Sequence, residues 1–78
     1  MRVLFFAQVR EATRVAEGEL DVADVDASAL WNALLQRWPT LAAHRENTRL
    51  ARNGSYAARD EIFRAGDEVA LLPPVSGG

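Results

Sequence analysis

Apolar positions alternate at the start of the chain in a way that predicts a β-strand. Residues 1–8 place apolar side chains on two opposite faces, with Val3, Phe5 and Ala7 on one and Leu4 and Phe6 on the other. This period of two residues is typical of a strand. Because both faces are apolar, we expect a central strand, or a strand with one face covered by a partner.

A second strand is predicted over residues 19–25, where Leu20 and Val22 stand among acidic side chains. Residues 9–14 favour a helical turn before Gly18, so the two strands predict a hairpin. The acidic side chains of this region indicate a solvated strand edge and loop, or a surface that steers a basic partner. They are Glu17, Glu19, Asp21, Asp24 and Asp26.

The clearest helix signal begins at Asp26, whose carboxylate can accept hydrogen bonds from the free N–H groups of a first helical turn. Apolar residues follow at spacings of three or four, namely Ala27, Leu30, Leu34, Trp38 and Leu41. This spacing predicts a helix with one buried face. Pro39 should end or bend it, because proline has no N–H to donate.

Short strands and turns are predicted in the last third of the chain. Residues 50–52 and 55–57 flank Asn53-Gly54, a pair that tolerates positive φ and favours a hairpin turn. A single helical turn is expected at residues 60–63 and a tight turn at 65–67.

The last predicted strand covers residues 68–73, and regular pairing should stop at Pro73-Pro74, which cannot donate to a ladder. Residues 75–78 would then project as a flexible arm.

The element order β-β-α-β-β predicts an α+β fold in which one main helix covers a mixed sheet of four to five strands. This order is typical of the ubiquitin-like β-grasp. The alternative is another small α+β fold with one sheet and a single helix. The chain has 78 residues, so we expect one domain over residues 1–74 and a tail over 75–78.

Composition argues against side-chain chemistry. The chain has no cysteine and a single histidine, His44, and we find no metal-ligand spacing and no nucleophile beside a base. The acidic pairs in the predicted turns, Asp60-Glu61 and Asp67-Glu68, are expected to be solvated. A net charge of −2 gives no electrostatic support for nucleic-acid binding. The first apolar run is too short for a signal peptide or a membrane span, so we expect a cytoplasmic protein.

Candidate chemistry lies instead at the C-terminus, where Gly77 and Gly78 follow a strand and two prolines. A carboxylate presented on residues without Cβ can pass along a narrow channel and let another backbone approach closely. An ordinary frayed tail would have the same sequence. The glycine pair alone leaves both interpretations open.

Both ends of the chain resemble the small, sulfur-carrier subunit of molybdopterin synthase, in the MoaD/ThiS family of ubiquitin-like sulfur carriers. The resemblance rests on Val3-Leu4-Phe5-Phe6-Ala7-Gln8-Val9-Arg10-Glu11 at the start and on Gly66-Asp67-Glu68-Val69-Ala70-Leu71-Leu72-Pro73-Pro74-Val75-Ser76-Gly77-Gly78 at the end. It extends over the whole chain in length and element order, and it is weak between about residues 12 and 50. Arg52 stands where the family pattern usually has an apolar residue.

The resemblance implies that a ubiquitin-activating-like adenylyltransferase uses ATP to adenylate Gly78. Sulfur from a donor protein then replaces AMP and gives a C-terminal thiocarboxylate. Gly77 and Gly78 would enter the large subunit of molybdopterin synthase, where sulfur passes to cyclic pyranopterin monophosphate to form a dithiolene. The large subunit would supply the catalytic side chains, in a heterotetramer of two small and two large subunits. This chain would bind no cofactor and no metal of its own.

The family's docking surface maps onto Phe6, Tyr56 and Leu72, continuing along the tail through Pro73, Pro74, Val75 and Ser76. Alternative functions are a sulfur carrier for thiamin, cysteine or tRNA thiolation, a protein modifier conjugated through Gly78, and an interaction module in which the glycines have no role. All nine basic residues are arginine. A lysine-free surface could protect an activated C-terminus from self-acylation, although an arginine-biased genome predicts the same composition.

Overall fold

Residues 1–74, the part of the chain described by this computed structural model, contain seven strands and two α-helices. The strands are β1 (Arg2–Phe5), β2 (Glu17–Glu19), β3 (Val25–Asp26), β4 (Arg49–Arg52), β5 (Ser55–Tyr56), β6 (Ile62–Phe63) and β7 (Glu68–Leu72). The helices are α1 (Ala7–Thr13) and α2 (Ala27–Arg37), and a 3₁₀ segment covers Pro39–Asn47. None of the helices within this range has the length and apolar composition needed to cross a bilayer.

Five of the strands form one mixed sheet in the order β2-β1-β7-β4-β5. The central pair β1–β7 is parallel, and the other pairs are antiparallel. Phe5 is level with Leu71 across the central pair. β3 and β6 form a separate two-stranded ladder in which Val25 is level with Phe63. In this order β7, the last strand of residues 1–74, lies in the middle of the main sheet.

The hydrophobic core lies between α2 and one face of the main sheet. Its fully buried large side chains are Phe5, Phe63, Leu30, Leu34, Leu41, Leu71, Val3 and Val69. The ring of Trp38 meets Phe5 edge-on, with 4.8 Å between ring centroids. A Cβ at Gly18 would lie 2.5 Å from this indole, so only glycine fits beside the ring.

The predicted main helix is confirmed. Asp26 accepts a hydrogen bond from the backbone N–H of Ala29 at 2.8 Å, which satisfies a donor of the first turn. The helix ends at Arg37, two residues before Pro39. The predicted turns at Asn53-Gly54 and at residues 65–67 are also present, and Gly54 and Gly66 both have positive φ.

The structure corrects the predicted beginning of the chain. The first strand ends at Phe5 instead of residue 8, because Ala7 adopts a φ of 51° and the chain turns into α1. The second strand lies at Glu17–Glu19, earlier than predicted, and it pairs antiparallel with β1 across an intervening helix. Its acidic side chains are exposed, as expected for a sheet edge.

Two expectations for residues 60–68 are wrong. Residues 62–63 form β6 instead of a helical turn, because they pair with β3, distant in sequence. Asp67 is buried and Glu61 is partly buried, whereas the sequence predicted that both would be solvated. The reason is an ion-pair network with Arg52, described below.

Candidate functional site

The face of the main sheet opposite α2, called here the outer face, carries a row of apolar side chains. Strand register places Ala70 between Leu4 of β1 and Ala51 of β4, and Tyr56 of β5 follows next to Ala51. These side chains alternate with the core residues of the same strands, so they point away from the helix. The row extends across four of the five strands.

The predicted docking residues lie on or beside this face. Tyr56 is 56% exposed and Phe6 is 43% exposed, whereas Leu72 is half-buried. The backbone of Phe6 is extended. Phe6 directly follows Phe5, which is paired with Leu71 across the β1–β7 ladder. Alternation along β7 therefore places Leu72 on the outer face, and the exposed Phe6 lies just beyond the end of β1.

A shallow socket of about 210 Å³ lies at one side of the outer face. It is lined by Ala51, Gly54, Tyr56 and Leu72. The structure thus brings Tyr56 and Leu72 together, although they lie on strands that are not adjacent in the sheet. Exposed aromatic and aliphatic residues around a small depression are typical of a protein-binding surface.

Charged groups border the apolar row at two places. The guanidinium of Arg49 lies 5.3 Å from the centroid of the Tyr56 ring, a cation–π distance. At the other end, Arg2 donates to Glu17 at 2.8 Å and lies 3.7 Å from Glu68. The hydrogen bond to Glu17 raises the pKa of Arg2 above its ordinary value. The outer face therefore has an apolar centre and a charged rim, the arrangement expected of an interface.

The predicted tail begins where the outer face ends. Pro73 and Pro74 follow β7 and are exposed. The remaining predicted site residues, Val75, Ser76, Gly77 and Gly78, lie outside the described residues. Within residues 1–74 no group of three or more histidine, aspartate or glutamate side chains could hold a metal ion.

An ion-pair network around Asp67 was missed by the sequence analysis. One oxygen of Asp67 accepts from the backbone N–H of Arg64 at 2.7 Å and from Nε of Arg52 at 2.5 Å. The other accepts from Nδ2 of Asn53 at 3.0 Å. These bonds favour the carboxylate, with the backbone donor of Arg64 contributing most, and they lower the pKa of Asp67 to about 2.

Glu61 extends the network to a neighbouring loop. It accepts from the backbone N–H of Ala58 and from Nη1 of Arg52, both at 3.0 Å. The Ala58 hydrogen bond, followed by that of Arg52, lowers the pKa of Glu61, and the carboxylate of Asp67 raises the pKa of Arg52. One signal in the sequence could have revealed the network. A charged side chain on the core-facing side of a strand needs a partner of opposite charge, because an unpaired buried charge is costly. Arg52 was such a residue.

A profile of the ThiS family matches residues 3–78 of the chain. The chain belongs to the ThiS family. The molybdopterin synthase sulfur carrier subunit of Drosophila ananassae is 43% identical over an alignment that covers 100% of this chain and 90% of that protein. The protein of the same name from Mycobacterium tuberculosis is 35% identical over an alignment that covers 100% of this chain and 96% of that protein.

Structural similarity agrees with this membership of the ThiS family. The crystal structure of SAMP1 from Haloferax volcanii superimposes with a TM-score of 0.82 at 32% identity, covering 99% of this chain and 97% of that one. The resemblance recognised at the two ends of the sequence is therefore confirmed, as is the α+β, ubiquitin-like β-grasp fold.

Proposed function

We propose that this chain is the sulfur carrier subunit of molybdopterin synthase and that it carries sulfur as a thiocarboxylate on Gly78. Support comes from full-length relatives that bear this name and from a family match that extends to residue 78. The chain acts as one subunit of a sulfurtransferase and is not an enzyme on its own.

The observation that carries the proposal is the position of β7. It is the middle strand of the main sheet, Leu72 at its end belongs to the outer face, and the exposed Pro73 and Pro74 follow directly. A partner seated on the outer face would therefore lie next to the point from which residues 75–78 continue. The outer face would therefore dock on the partner, and the segment that follows it would deliver the C-terminus to that same partner.

Activation of Gly78 follows from the chemistry of carboxylates. A carboxylate is a poor electrophile, so an adenylyltransferase first joins it to the α-phosphate of ATP, releasing pyrophosphate. Sulfide released by a donor protein then attacks the acyl carbon, so that a C–S bond forms while the C–O bond to AMP breaks and AMP leaves. The product is an anionic thiocarboxylate, which is a good nucleophile. ATP is a cosubstrate of the activating enzyme, and this chain needs no bound cofactor.

Sulfur transfer takes place in the large subunit. Phe6, Tyr56 and Leu72 dock on that subunit, and the segment through Pro73, Pro74, Val75 and Ser76 leads Gly77 and Gly78 into its active site. The large subunit holds cyclic pyranopterin monophosphate and supplies the catalytic side chains. Two carriers serve two large subunits in a heterotetramer, and two transfers complete each dithiolene.

The intact mass of the protein purified from its own cells tests the carrier role. Exchange of one oxygen for sulfur adds about 16 Da, and fragmentation should place that mass on Gly78. Deletion of Gly78 should abolish dithiolene formation by the reconstituted synthase. The matched control is Ala43→Ser, an exposed position on the 3₁₀ segment, which should retain full activity.

Each alternative function gives a different result in these experiments. A protein modifier would accumulate as isopeptide-linked adducts of Gly78 instead of the free thiocarboxylate. A carrier for another pathway would form the thiocarboxylate but would not transfer its sulfur to the pterin precursor. Full activity of the Gly78 deletion would contradict the proposal in every form.

A further inference from the structure

A groove of about 650 Å³ lies beside the outer face, between the start of α2 and the loop that follows β5. Its lining includes the apolar side chains of Trp31, Leu50, Ala27 and Ala57. Arg49 and Arg59 also line it. We call this feature the arginine groove.

Positive charge dominates the arginine groove. None of its lining residues is acidic, and within residues 1–74 neither Arg49 nor Arg59 forms an ion pair. A third guanidinium, that of Arg45, lies 5.8 Å from the ring centroid of Trp31. Among the acids next to the lining residues, Glu61 is held by Arg52 and Asp26 caps α2, whereas Asp60 is exposed. A locally cationic groove on a chain of net charge −2 is complementary to an acidic ligand.

The wall of the arginine groove is held in place by the Asp67 network. Glu61 accepts from the backbone N–H of Ala58, and the backbone N–H of Ala57 donates to the carbonyl of Leu50 at 2.9 Å. These bonds fix the loop that presents Arg59 opposite β4. Because this loop is already ordered, binding a partner does not incur the entropy cost of ordering it.

The arginine groove is continuous with the proposed docking surface. Arg49 lines the groove, and its guanidinium stacks on Tyr56 of the outer face. A partner that covers Tyr56 therefore reaches the groove by passing around β5, the edge strand of the main sheet.

From this continuity and the unpaired cations, we propose that the arginine groove binds an acidic segment of the large subunit, with an apolar side chain seated over Trp31 and Leu50. The inference rests on the proposed function, and it adds a second contact with the large subunit beside that of the outer face. The carboxylates of the segment pair with Arg59, Arg49 and Arg45, so the groove contributes affinity that depends on ionic strength.

Charge reversal tests the proposal. Arg59→Glu and Arg45→Glu should each weaken binding to the purified large subunit by about 3- to 10-fold at low salt, as expected for exposed ion pairs turned into repulsions. The loss should shrink between about 50 and about 300 mM NaCl, because salt screens exposed charges. The matched control is Arg37→Glu, with the same charge change at the far end of α2, about 15 Å along the helix axis. It should bind like the unmodified chain.

A photo-cross-linker identifies the occupant directly. Benzoylphenylalanine placed at Ala58 should react with a large-subunit peptide rich in aspartate or glutamate. A cross-link to a second copy of this chain, or to a peptide without acidic residues, would overturn the proposal. So would groove variants that bind as tightly as Arg37→Glu. If the unmodified chain does not bind the large subunit at all, the proposed function fails with it, a result distinct from failure of the groove alone.

Discussion

Asp67 joins three segments of the chain through its carboxylate. It accepts hydrogen bonds from Arg52 on β4, from Asn53 in the adjacent turn and from the backbone of Arg64. Asn53 in turn accepts from the backbone N–H of Glu68 at 2.9 Å. The Asp67 carboxylate therefore adds to the β4–β7 ladder and to the Asn53–Glu68 contact in holding the turn before β7 against the β4–β5 hairpin.

Acid should weaken this network in a defined pH range. The pKa of Asp67 falls from 3.8 to about 2 on folding, so its charge stabilises the fold fully above pH 3.8 and loses that effect as the pH falls through about 2. We expect Asp67→Asn to lower Tm at neutral pH, and the difference from the unmodified chain to narrow in this acid range. Thermal unfolding followed by circular dichroism at a series of pH values measures this difference in Tm.

The exposed Asp60→Asn is the control for this series, because it makes the same chemical change outside the network. Its Tm should match that of the unmodified chain at every pH. A Tm difference for Asp67→Asn that stays constant down to pH values of about 2 would contradict a stabilising role for the charge.

At the scale of elements, α2 could be predicted from sequence and the β3–β6 ladder could not. Both the Asp26 cap and the spacing of Leu30 and Leu34 are local signals, readable within one helix. β3 and β6 have two residues each and depend on pairing between distant parts of the chain. Two residues are too few to show the alternation that marks a strand, although Ile62 and Phe63 both favour one.

In the candidate site, too, local features could be predicted from sequence and contacts between distant residues could not. Alternation along β7 places Leu72 on the face opposite the core, as predicted from sequence, since alternation is also local. The Asp67–Arg52–Glu61 network and the arginine groove bring together residues from several elements. Arg52 in a strand signals that an opposite charge is needed, but sequence spacing does not identify Asp67 and Glu61 as its partners until the sheet order is known.

The Asp26 cap should contribute measurably to the stability of α2. Asp26→Ala removes the acceptor for the Ala29 N–H, and loss of such a cap costs about 1 kcal/mol. We expect this decrease in the free energy of unfolding, measured by urea denaturation. Asp21→Ala, an exposed acidic residue outside the helix, should leave the value within about 0.5 kcal/mol of the unmodified chain. Equal values for the two variants would show that the cap is dispensable.

For the whole molecule, the sheet has two faces with different roles. One face is covered by α2 and holds the core, whereas the outer face keeps Tyr56 exposed beside the half-buried Leu72. A side chain that contributes little to the core can be removed with little effect on stability. Binding and folding are therefore separable on the outer face, and this allows a direct test of docking.

Tyr56→Ala should greatly weaken binding to the large subunit while the fold remains intact. The substitution removes one wall of the socket and the ring on which Arg49 stacks. Aromatic residues at the centre of an interface cost at least about 2 kcal/mol when truncated, so Kd should rise about 30-fold or more in isothermal titration calorimetry. The control is Ile62→Ala, a partly exposed apolar residue on β6, outside the main sheet. Because β7 ends at Leu72, which lines this socket, the loss of affinity should also slow sulfur transfer at subsaturating carrier, and high carrier concentration should restore the rate. A rate that stays low at saturation would mean that Tyr56 acts on the chemistry at the terminus and not on docking.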